Sequence, residues 1–116
     1  SDSDDALGDF DVLQLQRRLA RREVSAEELY AAARARVASA DATLNAVVSM
    51  VDQPIPTQGP FAGIPSVLKD NEELTGYPTL QGSRAMPQTP ATEDSVLVEM
   101  LRSLGLGFVA KTTMPE

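Results

Sequence analysis

Lys69 is the residue whose setting in this sequence most clearly suggests chemistry. It follows the short apolar stretch 64–68, which is typical of a β-strand, and the polar residues Asp70 and Asn71 come directly after it. Burying an ammonium group is costly unless the group is paired or neutral, and burial lowers the pKa of a lysine until it can accept a proton near neutral pH. Taken alone, these residues favour the simpler interpretation, a strand-end lysine with its head in water.

Histidine and cysteine are both absent from the 116 residues, and this excludes several kinds of site. The chain alone cannot form a disulfide framework, a zinc site with Cys or His ligands, a catalytic thiol or a Ser-His-Asp triad. Its net charge of −7 argues against binding to nucleic acid or to an anionic membrane surface. We therefore expect no nucleic-acid binding, and no apolar run approaches the ~20 residues of a membrane span.

Helical and strand patterns alternate along the chain, which predicts an α/β fold in a single domain. Residues 1–9 are rich in Asp, Ser and Gly, and we expect them to form a disordered acidic tail. Apolar spacing predicts a first helix over 10–22. A capping box of Ser25 and Glu28 predicts the start of a second helix, which should run to about Ala40.

Short apolar runs predict strands at 46–51, 64–68 and 108–110. The segments 52–60 and 76–90 should be irregular, because Pro or Gly interrupts them repeatedly. A third helix is expected with Thr92 as its N-cap, Glu93 and Asp94 in its first turn, and Gly105 as its stop. The predicted apolar stripe of this helix consists of Val96, Leu97, Met100, Leu101 and Leu104.

Several ordered blocks of this sequence resemble the amidase signature family. Gly-Pro-Phe-Ala-Gly-Ile-Pro at 59–65 leads into Lys-Asp-Asn at 69–71, where the family carries Gly-Pro-Leu-Ala-Gly-Ile-Pro before Lys-Asp-Asn. Gly-Tyr-Pro-Thr-Leu-Gln-Gly-Ser at 76–83 is similar to the next family block, and 101–116 is similar to the block after it. The resemblance spans about residues 23–116, and several ordered blocks are more specific than any single motif.

The resemblance implies a mixed β-sheet sandwiched between helices, of which residues 10–116 would form the N-terminal part. It also implies amide hydrolysis by a Ser–cis-Ser–Lys triad, in which Lys69, neutral and desolvated, is the general base. Both family serines belong to a Gly/Ser-rich segment that follows the block ending at Glu116. Neither Ser66 nor Ser83 matches their positions, so this chain would supply only the lysine.

The resemblance also assigns roles to neighbouring residues. Asp70 and Asn71 would orient the loop around Lys69. Lys111 would position the structure rather than transfer a proton, and a solvent-exposed lysine at the end of a strand is the open alternative. Glu72 departs from the family, which often has an apolar residue at this place.

Three functions fit these observations. The first is an amidase that acts on a small-molecule amide, with the remainder of the enzyme supplied by a second chain or by a missing C-terminal part; residues 1–116 alone would then be inactive. The second is the amidase subunit of a glutamine-dependent tRNA amidotransferase, and the third is a non-catalytic amidase-like fragment that binds a partner. No metal or organic cofactor is implied. Without cysteine the redox compartment cannot be read, and the cytoplasm is our working expectation.

Overall fold

The computed structural model describes residues 5–44, 47–69, 72, 74–77 and 93–113. Their elements, in chain order, are helices and strands named α1 (Val12–Ala20), α2 (Ala26–Leu44), β1 (Val47–Met50), β2 (Pro65–Lys69), α3 (Val96–Ser103) and β3 (Gly107–Thr112). The segment expected to be irregular at 76–90 falls outside the described residues from 78 onward.

The three strands form one mixed sheet in the order β1-β3-β2. The central strand β3 is antiparallel to β1 and parallel to β2. Parallel neighbours need a crossover connection, and α3 lies in the segment that links β2 to β3. All six residues of β3 are buried, as expected for a strand covered on both faces. The structure thus confirms the predicted α/β class with a mixed sheet.

Capping boxes begin the first two helices. The Gln14 amide donates to the Asp11 carboxylate at 2.8 Å, and the Gln14 side chain accepts from the Asp11 amide at 2.9 Å. The predicted box of Ser25 and Glu28 is confirmed, with reciprocal bonds of 3.1 and 2.9 Å. The first helix is therefore shorter than predicted, whereas the second continues to Leu44. Among the helices that the structure describes, none combines the length and the apolar character that crossing a bilayer requires.

The predicted start of α3 is wrong. Ser95 is its N-cap, because the Ser95 hydroxyl accepts from the Val98 amide at 3.2 Å and satisfies a donor of the first turn. Thr92 lies outside the described residues. Glu93 and Asp94 consequently precede the helix instead of occupying its first turn.

The buried face of α3 also differs from the predicted stripe. Val98, which the stripe omitted, is fully buried, and Leu101 and Leu104 are half-buried. Val96 is 83% exposed. The other exposed members of the stripe are Leu97 and Met100. The reason is that Val98 packs with Leu68 and Phe108 of the sheet, a contact that the periodicity of the helix does not specify.

Two apolar clusters form the core. The cluster between α3 and the sheet contains Val51, Leu68, Leu74, Val98 and Phe108. The cluster beside α1 and α2 contains Leu15, Val24, Leu29 and Ile64. Leu68 of β2 belongs to the first cluster, and Ile64, the residue just before β2, belongs to the second. Residues 64–68 therefore contribute to both clusters.

Residues 5–9, expected to belong to a disordered tail, form a turn that is attached to α2. Arg36 donates to the Asp5 carboxylate at 2.6 and 2.7 Å and to the Gly8 carbonyl at 2.8 Å. Ala6 and Leu7 pack against the cluster beside α1. The hydrogen bonds from Arg36 hold the pKa of Asp5 below its ordinary value.

Candidate active site

The glycine-rich turn at 59–63 places β2 by packing directly on the end of α3. The Phe61 amide donates to the Leu104 carbonyl at 2.8 Å. A Cβ atom at Gly59 would lie 2.5 Å from the Leu104 carbonyl group, and one at Gly105 would lie 2.5 Å from the Ala62 nitrogen. The two turns therefore meet backbone against backbone, and only glycine leaves the space that this requires.

The predicted stop at Gly105 is confirmed, and its geometry leads the chain into β3. The Gly105 amide donates to the Arg102 carbonyl at 2.9 Å, and the Leu106 amide donates to the Leu101 carbonyl at 3.1 Å. This pair of bonds is a Schellman motif, with Gly105 at a φ of +99°. The strand β3 can therefore begin at once, parallel to β2.

Lys69 is the last residue of β2, and its partner in β3 is Thr112. Its side chain is exposed, whereas Leu68 before it is buried in the core. The desolvated Lys69 that the resemblance implies belongs to the complete enzyme and stays a prediction. Its exposure in this chain follows from its position, because among the described strands β2 pairs with β3 alone and Lys69 stands at the end of β2.

Lys111 is the lysine that the structure buries completely, at 0% exposure. It lies in the central strand, where its backbone partners are Ser49 of β1 and Leu68 of β2. The alternative of a solvent-exposed lysine is therefore wrong for Lys111. Sequence reasoning missed this burial because it placed the end of the third strand at residue 110, whereas β3 continues to Thr112.

The described residues that next follow Lys69, which are 72 and 74–77, contact the start of α3 and the loop after β1. The Glu72 amide donates to the Lys69 carbonyl at 3.0 Å, and the Glu72 carboxylate accepts from the Ser95 hydroxyl at 2.8 Å. Leu74 is fully buried in the cluster beneath α3. The Tyr77 hydroxyl accepts from the backbone amide of residue 52 at 2.9 Å, so the segment is anchored on both sides.

A second pair of contacts attaches this segment to α3. One carboxylate oxygen of Asp94 accepts from both the amide and the hydroxyl of Thr75, at 2.8 and 2.9 Å. Its other oxygen lies 3.6 Å from the guanidinium of Arg102, which belongs to the last turn of α3. The sequence offered Asp94 only as a helix-dipole residue, and no local signal pointed to Thr75.

This geometry can be compared with that of known proteins. A sequence profile of the family named Amidase matches residues 14–116. The chain belongs to the amidase family. Putative amidase AmiC from Mycobacterium tuberculosis (strain H37Rv) is 30% identical over 121 residues, covering 97% of this chain and 26% of that protein. One subunit of the glutamyl-tRNA(Gln) amidotransferase from Lactobacillus acidophilus is 31% identical over 108 residues, covering 88% of this chain and 22% of that protein.

Solved structures of the amidase family have the same fold. The peptide amidase from Stenotrophomonas maltophilia superposes with a TM-score of 0.77 at 30% identity, covering 92% of this chain and 25% of that one. A 6-aminohexanoate cyclic dimer hydrolase superposes with a TM-score of 0.80 at 27% identity, covering 92% and 24%. The predicted amidase signature fold is confirmed, and the chain spans about a quarter of the length of the curated relatives named above.

The other residues singled out by the amidase blocks are distributed unevenly. Ser66 lies within β2, where its hydroxyl donates to the Val67 carbonyl at 3.3 Å, so it is engaged within its own strand. Asp70, Asn71 and Ser83 lie outside the described residues. The described part of the chain therefore brings together Lys69, the segment after it and the start of α3.

Proposed function

We propose that this chain is the part of an amide-bond hydrolase that carries Lys69, the general base of a Ser–cis-Ser–Lys triad. The observation that supports this most directly is the place of Lys69 in an amidase-family chain. It stands at the end of a strand that the glycine turn 59–63 fixes beside β3. Both serines would belong to the remainder of the family domain, since the chain spans about a quarter of its relatives.

In the proposed reaction, the neutral amine of Lys69 accepts a proton from a bridging serine, which takes one from the nucleophilic serine. The nucleophile attacks the amide carbonyl, the amine leaves with a proton returned along the same path, and water then hydrolyses the acyl-enzyme. Backbone amides would stabilise the oxyanion. Because Lys69 is exposed in this chain, the remainder of the domain would have to cover it.

The proposed substrate is a small-molecule amide. Two structural relatives are named as a peptide amidase and a cyclic dimer hydrolase, which supports amide cleavage as the shared chemistry. The acyl and amine groups would be selected by residues outside this chain. The proposed steps use side chains and backbone amides alone.

The test is Lys69→Ala in the complete enzyme that contains this segment, with Lys111→Ala as its control. Loss of the base should reduce kcat/KM by about 10³-fold or more while the Tm stays close to that of the wild type. Lys111→Ala should mainly lower the Tm, because the buried side chain of the central strand would be lost. Hydrolysis of a chromogenic anilide measures the first effect, and calorimetry the second. Equal losses of activity in two folded variants would contradict this division of roles.

The similarity to one part of an amidotransferase supports a second candidate. Its 31% identity matches that of the amidase relative, so sequence similarity does not separate the two. The acidic net charge of −7 favours the free-standing amidase. Release of ammonia from glutamine that depends on a partner protein would decide for the amidotransferase. A complete protein that binds a partner but turns over neither substrate would support a non-catalytic role.

A further inference from the structure

We propose that Glu72 and Asp94 are positioning residues that hold the end of β2, and with it Lys69, against the start of α3. This inference rests on the proposed role of Lys69 as the base. Its basis is a pair of side-chain contacts that link Glu72 and Thr75 to the start of α3 across sequence separations of 23 and 19 residues.

The first contact runs through Glu72. Its amide donates to the Lys69 carbonyl at 3.0 Å, and its carboxylate accepts from the Ser95 hydroxyl at 2.8 Å. Ser95 is itself held, because its oxygen accepts from the Val98 amide and so caps α3. A hydrogen bond to an ionised carboxylate is stronger than one between neutral groups. The main chain at Lys69 is thus connected to the helix through one residue.

The second contact runs through Asp94. One of its oxygens accepts two hydrogen bonds from Thr75, and Arg102 lies 3.6 Å from the other. The Asp94 side chain is only 19% exposed, so it is less open to competition from water than a surface carboxylate. Asp94 therefore contacts Arg102 of α3 through one carboxylate oxygen and Thr75 through the other.

The position of Lys69 explains why such contacts matter. Among the described strands, β3 alone pairs with the strand that Lys69 ends. A lysine side chain has a flexible four-carbon stem, and a misplacement of about 1 Å at a reacting group can cost about 10²-fold in rate. The contacts of Glu72 and Thr75 add a second restraint after the strand. Glu72 supplies it with a carboxylate, where the family often has an apolar residue that could not accept this bond.

The test compares Glu72→Ala and Asp94→Ala with Glu72→Gln and Asp94→Asn in the complete enzyme. The alanine variants remove the acceptors, so we expect kcat to fall about 10- to 100-fold with little change in KM. The amide variants retain an acceptor oxygen and should restore most of the activity.

Two controls separate positioning from general destabilisation. Glu93→Ala removes an exposed acid next to Asp94 and should leave kcat unchanged. Asp5→Ala removes the ion pair with Arg36 of α2 and should lower the Tm alone. If the Glu72 and Asp94 alanine variants behave like Asp5→Ala, with a lowered Tm and a normal kcat, the inference is overturned.

Lys69→Ala distinguishes the failure of this inference from the failure of the proposed function. An inactive Lys69→Ala variant together with fully active Glu72 and Asp94 variants overturns the positioning role and leaves the base in place. A fully active Lys69→Ala variant overturns the proposed function, and the positioning role falls with it. Reduced kcat in both alanine variants, with rescue by Gln and Asn, supports the inference.

Discussion

Gly105→Ala probes the close approach of the two turns that place β2 beside β3. A Cβ atom at Gly105 would lie 2.5 Å from the Ala62 nitrogen and 2.7 Å from the Gln58 oxygen, both of them backbone atoms. Real Cβ contacts are longer than 3.0 Å, so one turn would have to move away from the other. The backbone at Gly105 also has a φ of +99°, where a residue with a side chain is strained.

Gly76→Ala separates the cost of backbone strain at positive φ from the cost of the steric contact between the turns. Gly76 has a similar φ of +89°, but a Cβ atom there would meet nothing within 4 Å. Strain alone should cost about 1–2 kcal/mol at either position. Overpacking against backbone adds about 1–3 kcal/mol at Gly105, so its total should reach about 2–5 kcal/mol. The difference between the two variants therefore measures the contact between the turns.

The assay is urea unfolding followed by far-UV circular dichroism, with the free energy of unfolding obtained by linear extrapolation. Gly59→Ala should behave like Gly105→Ala, since its Cβ would lie 2.5 Å from the Leu104 carbonyl group. The double variant should cost less than the sum of the two, because one separation of the turns relieves both contacts. Equal losses for Gly105→Ala and Gly76→Ala, within about 0.5 kcal/mol, would refute the reasoning.

Two further predictions concern the core and the N-terminal turn. Leu74→Ala should lower the free energy of unfolding by about 2–5 kcal/mol, because Leu74 is fully buried, whereas Val96→Ala, at 83% exposure, should change it by less than about 0.5 kcal/mol in the same assay. The pKa of Asp5 is lowered by Arg36, so its ion pair stabilises the fold above the ordinary aspartate pKa of about 4, and this stability is lost as the pH falls through the lowered pKa. Unfolding of the wild type and of Asp5→Asn across acidic pH measures this, and identical pH dependence would contradict it.

Local signals in the sequence determined much of the framework. Ser25 and Glu28 marked the start of α2, since a capping box is complete within four residues of chain. Gly105 marked the end of α3, because a helix that ends in positive φ favours glycine. The apolar run 64–68 placed a strand within one residue of β2, and so put Lys69 at its end. The ordered family blocks, rather than any periodicity, indicated the amidase fold.

Only the tertiary structure decided which side chains are buried and which distant residues meet. Periodicity placed Val96 on the apolar stripe of α3, yet packing against the sheet buries Val98 instead. Lys111 is buried in the central strand, whereas Lys69 is exposed at the end of β2. The contact of Glu72 with Ser95 joins residues 23 apart in the chain. Exposure and long-range contacts depend on which residues from distant parts of the chain pack against a side chain, and no local pattern along the chain contains that information.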